Sequence, residues 1–310
     1  MPVRESKPLH MLAVGEVLWD IFGDNEHLGG AALNFCANIA RLGGDAVLVS
    51  AVGDDERGRN VLRAMDALGL SSQCVDVTAK AATGTAVVSA LSHGESGFVI
   101  PRPAAFDHAG VDLLSALDRL PQQVDWIYFG TLLQCTPAAE DLVSTLLQRY
   151  SHAHAFYDLN LRDGHWNFDL VQRLSRRAHM MKLNLGEAQA LSQLSGTPSD
   201  DFHLETFCRQ WSATYSIDTL CITLGDEGCL IHTGGASEYF PGFPIRVHDT
   251  VGAGDAFAAA FLYGYSAGWP MADVARLANA AGAIVASRPG ATPSWNYEDC
   301  THLIEQGTRA

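Results

Sequence analysis

Short apolar runs alternate with longer stretches of helical periodicity along most of the chain, and this rhythm narrows the possible folds more than any other feature. Runs at 11–14, 46–52, 126–129, 154–159, 180–183, 220–224 and 230–232 read as strands. Apolar positions at helical spacing mark helices at 31–42, 57–68, 138–149, 170–178, 186–193, 204–214, 256–267 and 271–287. Gly43-Gly44 and Gly69 stop the first two. Strands separated by helices cannot pair through tight hairpins, so the helices must cross over and neighbouring strands run parallel. The expectation is an α/β fold, a three-layer αβα unit around a mostly parallel central sheet. Two segments break the rhythm. Residues 16–28 carry a Gly23-Asp24-Asn25 turn, and 85–100 read as a hairpin around 92–96. No long helix accompanies either, so about 16–28 and 84–101 are expected to form a small β-sheet inserted in one unit spanning 1–310.

The 310 residues, 47% of them hydrophobic, are ample for a large core. A formal charge of −15 with no basic run speaks against nucleic acid or an anionic membrane as partner. No stretch approaches the ~20 apolar residues of a membrane span, and no secretory leader is expected. The cysteines Cys36, Cys74, Cys135, Cys208, Cys221, Cys229 and Cys300 form no C-x-x-C pair, so no zinc site is expected. Several lie in apolar runs and read as buried thiols of a reducing, cytoplasmic compartment. There is neither a G-x-x-x-x-G-K-[ST] loop nor a G-x-G-x-x-G opening a first strand–helix unit, which disfavours a P-loop enzyme and an NAD-dependent oxidoreductase.

Chemistry concentrates in Asp249-Thr250-Val251-Gly252-Ala253-Gly254-Asp255-Ala256-Phe257. A glycine turn here enters a helix, where unpaired N–H groups and the helix dipole favour an anion. Asp255 beside such a turn can act as general base on a hydroxyl that attacks a phosphate; by itself the string also reads as a plain helix cap. Four other clusters stand out. Gly29-Gly30-Ala31-Ala32-Leu33-Asn34 opens a helix with two glycines and an amide. Asp158, Asn160 and Arg162 alternate at a strand end and share one face if the strand continues. Asn184 and Glu187 are spaced to reach one hydrated Mg²⁺ or to form a capping box. Thr223-Leu224-Gly225-Asp226-Glu227-Gly228 is a strand-end turn.

In order and spacing these segments, with Gly15–Asp20 and Val52–Gly58, resemble the ribokinase (pfkB-type) family of carbohydrate kinases, and the resemblance runs from Gly15 to Ser294. It implies a sugar kinase using ATP and Mg²⁺, with the small sheet as a lid and a homodimer formed through it. Asp255 would be the base, with Gly252, Ala253 and Gly254 stabilising the transferred group. Asp20, Gly30, Asn34 and Arg162 would hold the sugar. Asn184, Thr223, Gly225, Gly228, Gly254 and Asn279 would meet the nucleotide. Glu187 and Asn184 would bear on Mg²⁺ through water, while Asp249, Val251, Gly290 and Ser294 would surround a monovalent cation, K⁺. The segments are most similar to those of fructokinases, so fructose is the expected acceptor. Cys135 stands where fructokinase-like members often carry arginine. Ribose, 2-keto-3-deoxygluconate and a nucleoside remain alternatives, and for a nucleoside Phe22, Phe98, Ile100 and Phe106 are candidates for an apolar pocket. The alternative of another class is a non-catalytic sugar sensor, against which the intact Asp255 and Glu187 weigh.

Overall fold

The computed structural model describes residues 9–90, 96–110 and 117–307. Its strands are β1 (His10–Val14), β2 (Leu18–Phe22), β3 (Asn25–Gly29), β4 (Asp45–Gly53), β5 (Val75–Thr78), β6 (Gly84–Ala90), β7 (Ser96–Val99), β8 (Trp126–Gly130), β9 (His154–Asp158), β10 (Met180–Asn184), β11 (Thr219–Thr223), β12 (Gly228–Thr233) and β13 (Ala236–Pro241). The α-helices are α1 (Ala31–Arg41), α2 (Glu56–Ala67), α3 (Pro137–Arg149), α4 (Phe168–Ser175), α5 (Leu185–Leu194), α6 (Leu204–Tyr215), α7 (Ala253–Ser266), α8 (Met271–Ala286) and α9 (Tyr297–Gly307).

Nine strands form one sheet in the order β13-β12-β11-β10-β9-β8-β1-β4-β5. Pairing is parallel from β5 through β11, and β12 and β13 are added antiparallel. Alternate residues of each strand enter different cores. Leu12, Val14, Ile127 and Phe129 join the one covered by α3 to α6, whereas Met11, Ala13, Trp126 and Tyr128 join the one beneath α1, α2, α7 and α8. Because both faces are buried, the strands read as continuous apolar runs. Tyr128 stacks on Phe35 of α1 with ring centroids 4.0 Å apart, fixing that helix over the sheet.

The expected breaks in the rhythm form a separate sheet of order β3-β2-β6-β7. Most of the hairpin turn expected at 92–96 lies outside the described residues. Asp55 ties this sheet to the main body: its carboxylate caps α2 through the Gly58 N–H (2.7 Å) and accepts bonds from the N–H and hydroxyl of Thr83, the residue before β6. Arg57 at the start of α2 pairs with Glu26 of β3. Three elements were not expected: β5, β13 and α9. The cysteines are all free thiols, and Cys135 is only half-buried.

Candidate active site

The strand order reverses at β1, and the carboxyl ends of the parallel strands open there into a cleft, as expected for sheets of this kind. Successive strand ends supply its lining: Glu16 after β1, Leu132 after β8, Asn160 and Arg162 after β9, Glu187 after β10, and Thr223 ending β11. The small sheet adds Leu18, Asp20 and Ala86, and the cavity has about 400 Å³ of room. A second, mostly apolar cavity of about 210 Å³ adjoins it. Thr223, Gly225, Thr250 and Gly254 line both, so the first turn of α7 stands where the two meet.

That turn is built for an anion. Gly252 precedes α7 with φ 79°, and a Cβ there would stand 2.1 Å from the Ala291 carbonyl oxygen, so only glycine fits. Among the described residues no side chain caps the helix; the Ala253 N–H donates to the Thr250 carbonyl at 3.2 Å, which leaves those of Gly254 and Asp255 for a ligand. Asp255, the third residue of α7, is buried, and its Oδ2 accepts a 2.8 Å bond from Nδ2 of Asn34 on α1. Burial, aided by the charge of Asp158, pushes its pKa up to about 7 against the opposing Asn34, Lys182 and Arg162. A carboxylate so poised can take a proton near neutrality. The other end of the same amide, Asn34 Oδ1, is buried without a hydrogen-bond partner among the described residues. It requires a donor from whatever fills the cleft.

On the small-sheet side, Asp20 of β2 lies against Gly29, where a Cβ would stand 2.2 Å from Oδ2. Gly30 takes φ 110° and approaches the Glu16 carbonyl. Burial lifts Asp20 to about 6, opposed mainly by Arg162. Glu16 is buried as well, and its Oε1 accepts the Ala31 N–H at 3.1 Å.

One expectation fails at β9. Asp158, Asn160 and Arg162 do not share a strand face, because β9 ends at Asp158 and Asn160 turns the chain with φ 42°. Asn160 and Arg162 line the cleft. Asp158 lies beneath it, 1% exposed, accepting Tyr128 Oη at 3.0 Å and Lys182 Nζ at 2.8 Å. Lys182 is a site residue that the sequence reading missed. It lines the cleft from the middle of β10. Burial opposes its charge, but Asp158, Asp255 and Glu187 outweigh that and hold it protonated. The available signal was a lysine inside the apolar run Met180-Met181-Lys182-Leu183.

Asn184 and Glu187 form the capping box of α5: Asn184 Oδ1 accepts the Glu187 N–H at 2.9 Å, and Glu187 Oε2 accepts the Asn184 N–H at 2.8 Å. Glu187 Oε1 also takes the Leu161 N–H at 2.7 Å. With both oxygens engaged, Glu187 suits a hydrated Mg²⁺ held through water, and no cluster of three or more acidic, His or Cys side chains among the described residues makes a tighter cage. Beyond α7, Gly225, Gly228 and Asn279 line the apolar cavity, and Asn279 commits Nδ2 to the carbonyls of Phe240 (3.2 Å) and Pro241 (3.0 Å). Asp249 accepts the N–H groups of Val251 (3.0 Å) and Gly290 (3.3 Å). Ser294 is exposed, and its carbonyl accepts from Arg288 instead. Of the residues expected around a monovalent cation, Asp249 is thus tied to Val251 and Gly290 by backbone N–H bonds, and Ser294 is turned to Arg288.

Arg102 reaches Cys135 from the side, donating to the Leu132 carbonyl at 2.6 Å and pairing with Asp107. Of the candidates for an apolar pocket, Phe106 is fully buried and Phe22 packs edge-on against His27 at 5.8 Å, whereas Ile100 lines the cleft. The Phe98 side chain lies outside the described residues.

The pfkB family carbohydrate kinase profile matches residues 14–297. The chain is 30% identical over 282 residues to the aminoimidazole riboside kinase of Salmonella typhimurium, covering 87% of this chain and 85% of that one. It is 29% identical over 307 residues to a fructokinase of Klebsiella pneumoniae, covering 92% and 96%. It superposes on the fructokinase of Xylella fastidiosa solved with bound ATP at a TM-score of 0.83, with 22% identity over 96% of this chain and 99% of that one, a likeness of fold.

Proposed function

Because the chain belongs to the pfkB family of carbohydrate kinases, and is thus a phosphotransferase with an alcohol acceptor, we propose that it transfers the γ-phosphate of ATP to a primary hydroxyl of a small sugar, fructose first among them. The observation that carries this reading is the Asn34–Asp255 pair. One amide steadies a carboxylate with a pKa near neutrality and keeps a buried, unpartnered acceptor for a second hydroxyl. A polyol satisfies both groups at once.

Asp20, Gly30, Asn34 and Arg162 hold the sugar, and the adenine occupies the apolar cavity beside Asn279 with its phosphates passing Thr223, Gly225 and Gly228. Asp255 accepts the proton as the hydroxyl oxygen attacks, and the N–H groups of Gly252 and Gly254 face the charge that builds, while that of Ala253 holds the turn through the Thr250 carbonyl. Asn184 and Glu187 would hold Mg²⁺ through water, and the ion would neutralise the polyphosphate. Asp249, the Val251 carbonyl and the loop from Gly290 would hold a monovalent cation, which would brace the turn. The β3-β2-β6-β7 sheet acts as the lid that excludes water. Its open edges give a second copy a place to pair.

The aliphatic wall of Leu18, Ala86, Ile100 and Leu132, with the riboside-kinase relative, makes a riboside the second reading. The test is ADP release with Mg²⁺ and K⁺ against fructose, ribose, 2-keto-3-deoxygluconate and ribosides. Fructose giving the highest kcat/KM supports the first reading, a riboside doing so replaces it, and no acceptor-dependent ADP overturns both.

A further inference from the structure

Lys182 has no place in the scheme above, yet its ammonium lies against the phosphate turn. A Cβ added to Gly254 would stand 3.4 Å from its Nζ. Gly254 lies inside α7 and needs no positive φ, and a methyl there would touch the ammonium without a clash. Lys182 is 7% exposed, and its single hydrogen bond among the described residues, to Asp158 Oδ1 at 2.8 Å, uses one of three donors. Asp158 is itself fixed by Tyr128 Oη at 3.0 Å, and Tyr128 by its stacking on Phe35. A buried ion pair is a costly way to stabilise a strand. Here it is braced from behind and leaves two ammonium donors without a hydrogen bond among the described residues, in a cleft that Gly254, Asp255, Thr223 and Glu187 also line.

We propose that Lys182 is a catalytic residue that binds the transferred phosphoryl group, with Asp158 and Tyr128 as the positioning residues that aim it. This rests on the kinase reading. In the step, the acceptor oxygen forms a bond to the γ-phosphorus while the bond from that phosphorus to the β–γ bridging oxygen breaks. The electron pair leaves with ADP, and the acceptor proton passes to Asp255. Lys182 keeps its protons throughout and neutralises the oxygens that move from donor to acceptor. Because those oxygens belong to ATP and not to ADP, the lysine discriminates between the two nucleotides before any chemistry occurs.

The test compares wild type, Lys182→Met and the double variant Asp158→Asn/Lys182→Met. Calorimetric Kd values for ATP and ADP are measured without acceptor, together with kcat, acceptor KM and the thermal midpoint. The expected result is a preference of wild type for ATP that Lys182→Met abolishes, with ADP affinity within about twofold. In parallel kcat falls about 10²-fold, the size of loss seen when one group facing transition-state charge is removed, at little change in acceptor KM. Lys182→Met alone strands Asp158 and lowers the thermal midpoint. The double variant, which carries no buried charge at either position, regains the midpoint but neither the ATP preference nor kcat. Recovery of kcat to within tenfold of wild type in the double variant would overturn the proposal, since Lys182 would then only neutralise Asp158. An ATP preference that survives Lys182→Met would overturn it as well. A wild type that prefers ATP but phosphorylates no acceptor would sink the acceptor reading and leave the lysine's role standing.

Discussion

Asp255→Asn should make the protein more stable while removing its activity, and the gain in stability should depend on pH in a calculable way. In the folded chain burial raises the Asp255 pKa from 3.8 to about 7. A carboxyl whose pKa is raised by folding holds its proton more tightly in the native state. It carries no penalty below pH 3.8 and destabilises increasingly as pH climbs towards 7. Roughly three pH units at ~1.4 kcal/mol each give a penalty of about 4 kcal/mol above pH 7, and ~1.5 kcal/mol at pH 5. Asparagine stays neutral and still offers Oδ1 to the Asn34 amide. Its advantage in urea unfolding should therefore grow by about 2–3 kcal/mol between pH 5 and pH 8, while other titrating groups cancel between the two proteins. Turnover should fall by ~10²–10⁴, the usual contribution of a general base. A stability difference that does not vary with pH would refute the argument from burial, and turnover within tenfold of wild type would refute the role of Asp255 as base.

Further outcomes follow from the same geometry. Wild-type kcat/KM should fall tenfold per unit below pH ~7, and an acid limb inflecting near 4 in a pH–rate profile would show that Asp255 is not the group being titrated. Asn34→Leu removes a bond to the carboxylate worth ~1.5–3 kcal/mol, so the limb should move upward by about a unit or more. The acceptor KM should rise with it, and the two shifts are read from profiles at varied acceptor concentration. Gly252→Ala puts a Cβ 2.1 Å from the Ala291 carbonyl at φ 79°. The left-handed conformation alone costs ~1–2 kcal/mol. A lower thermal midpoint and a kcat reduced more than tenfold are expected, and a variant matching wild type in both would mean that the turn relaxes freely.

The sequence made the central strands legible because both of their faces are buried, so apolar runs such as Leu12–Val14 stand out without any knowledge of partners. The edge did not announce itself. In β13 most residues are exposed, and Ala-Ser-Glu-Tyr-Phe-Pro carries no clear alternation. β5, at the other edge, has only four residues, two of them buried, too few to show a pattern. The misplacement of Asp158 has a sharper cause. Period-two reasoning holds only while the backbone stays extended, and Asn160 at φ 42° ends that two residues after β9. Pairs at the site were beyond reach for another reason. Asn34 and Asp255 are 221 residues apart, and Lys182 finds Asp158 across 24. Periodicity places a residue on a face but does not say which distant face it meets.

The charge of the cleft narrows the acceptor further than any single residue does. Its walls carry Glu16, Asp20, Glu187 and Asp255, with Asp158 just beneath, against the cations Arg162 and Lys182. Such a chamber would repel a polyphosphate except where positive charge is concentrated. The open N–H groups of α7 and the Lys182 ammonium concentrate it at one end, where the two cavities meet. Asp255 in that same turn, lifted to about 7, and Asp20 on the small-sheet side, lifted to about 6, are poised between charge states and are strong acceptors for hydroxyl protons. Glu16, buried against the N–H of Ala31, adds a further negative wall there. A neutral polyol gains hydrogen bonds from this arrangement without charge repulsion, whereas a sugar that already bears a phosphate would face three carboxylates with only Arg162 in its favour. A phosphorylated sugar should accordingly be a poor acceptor compared with its neutral parent, and less so at pH 5 than at pH 8, because protonating Asp20 and Asp255 removes the repulsion that excludes it.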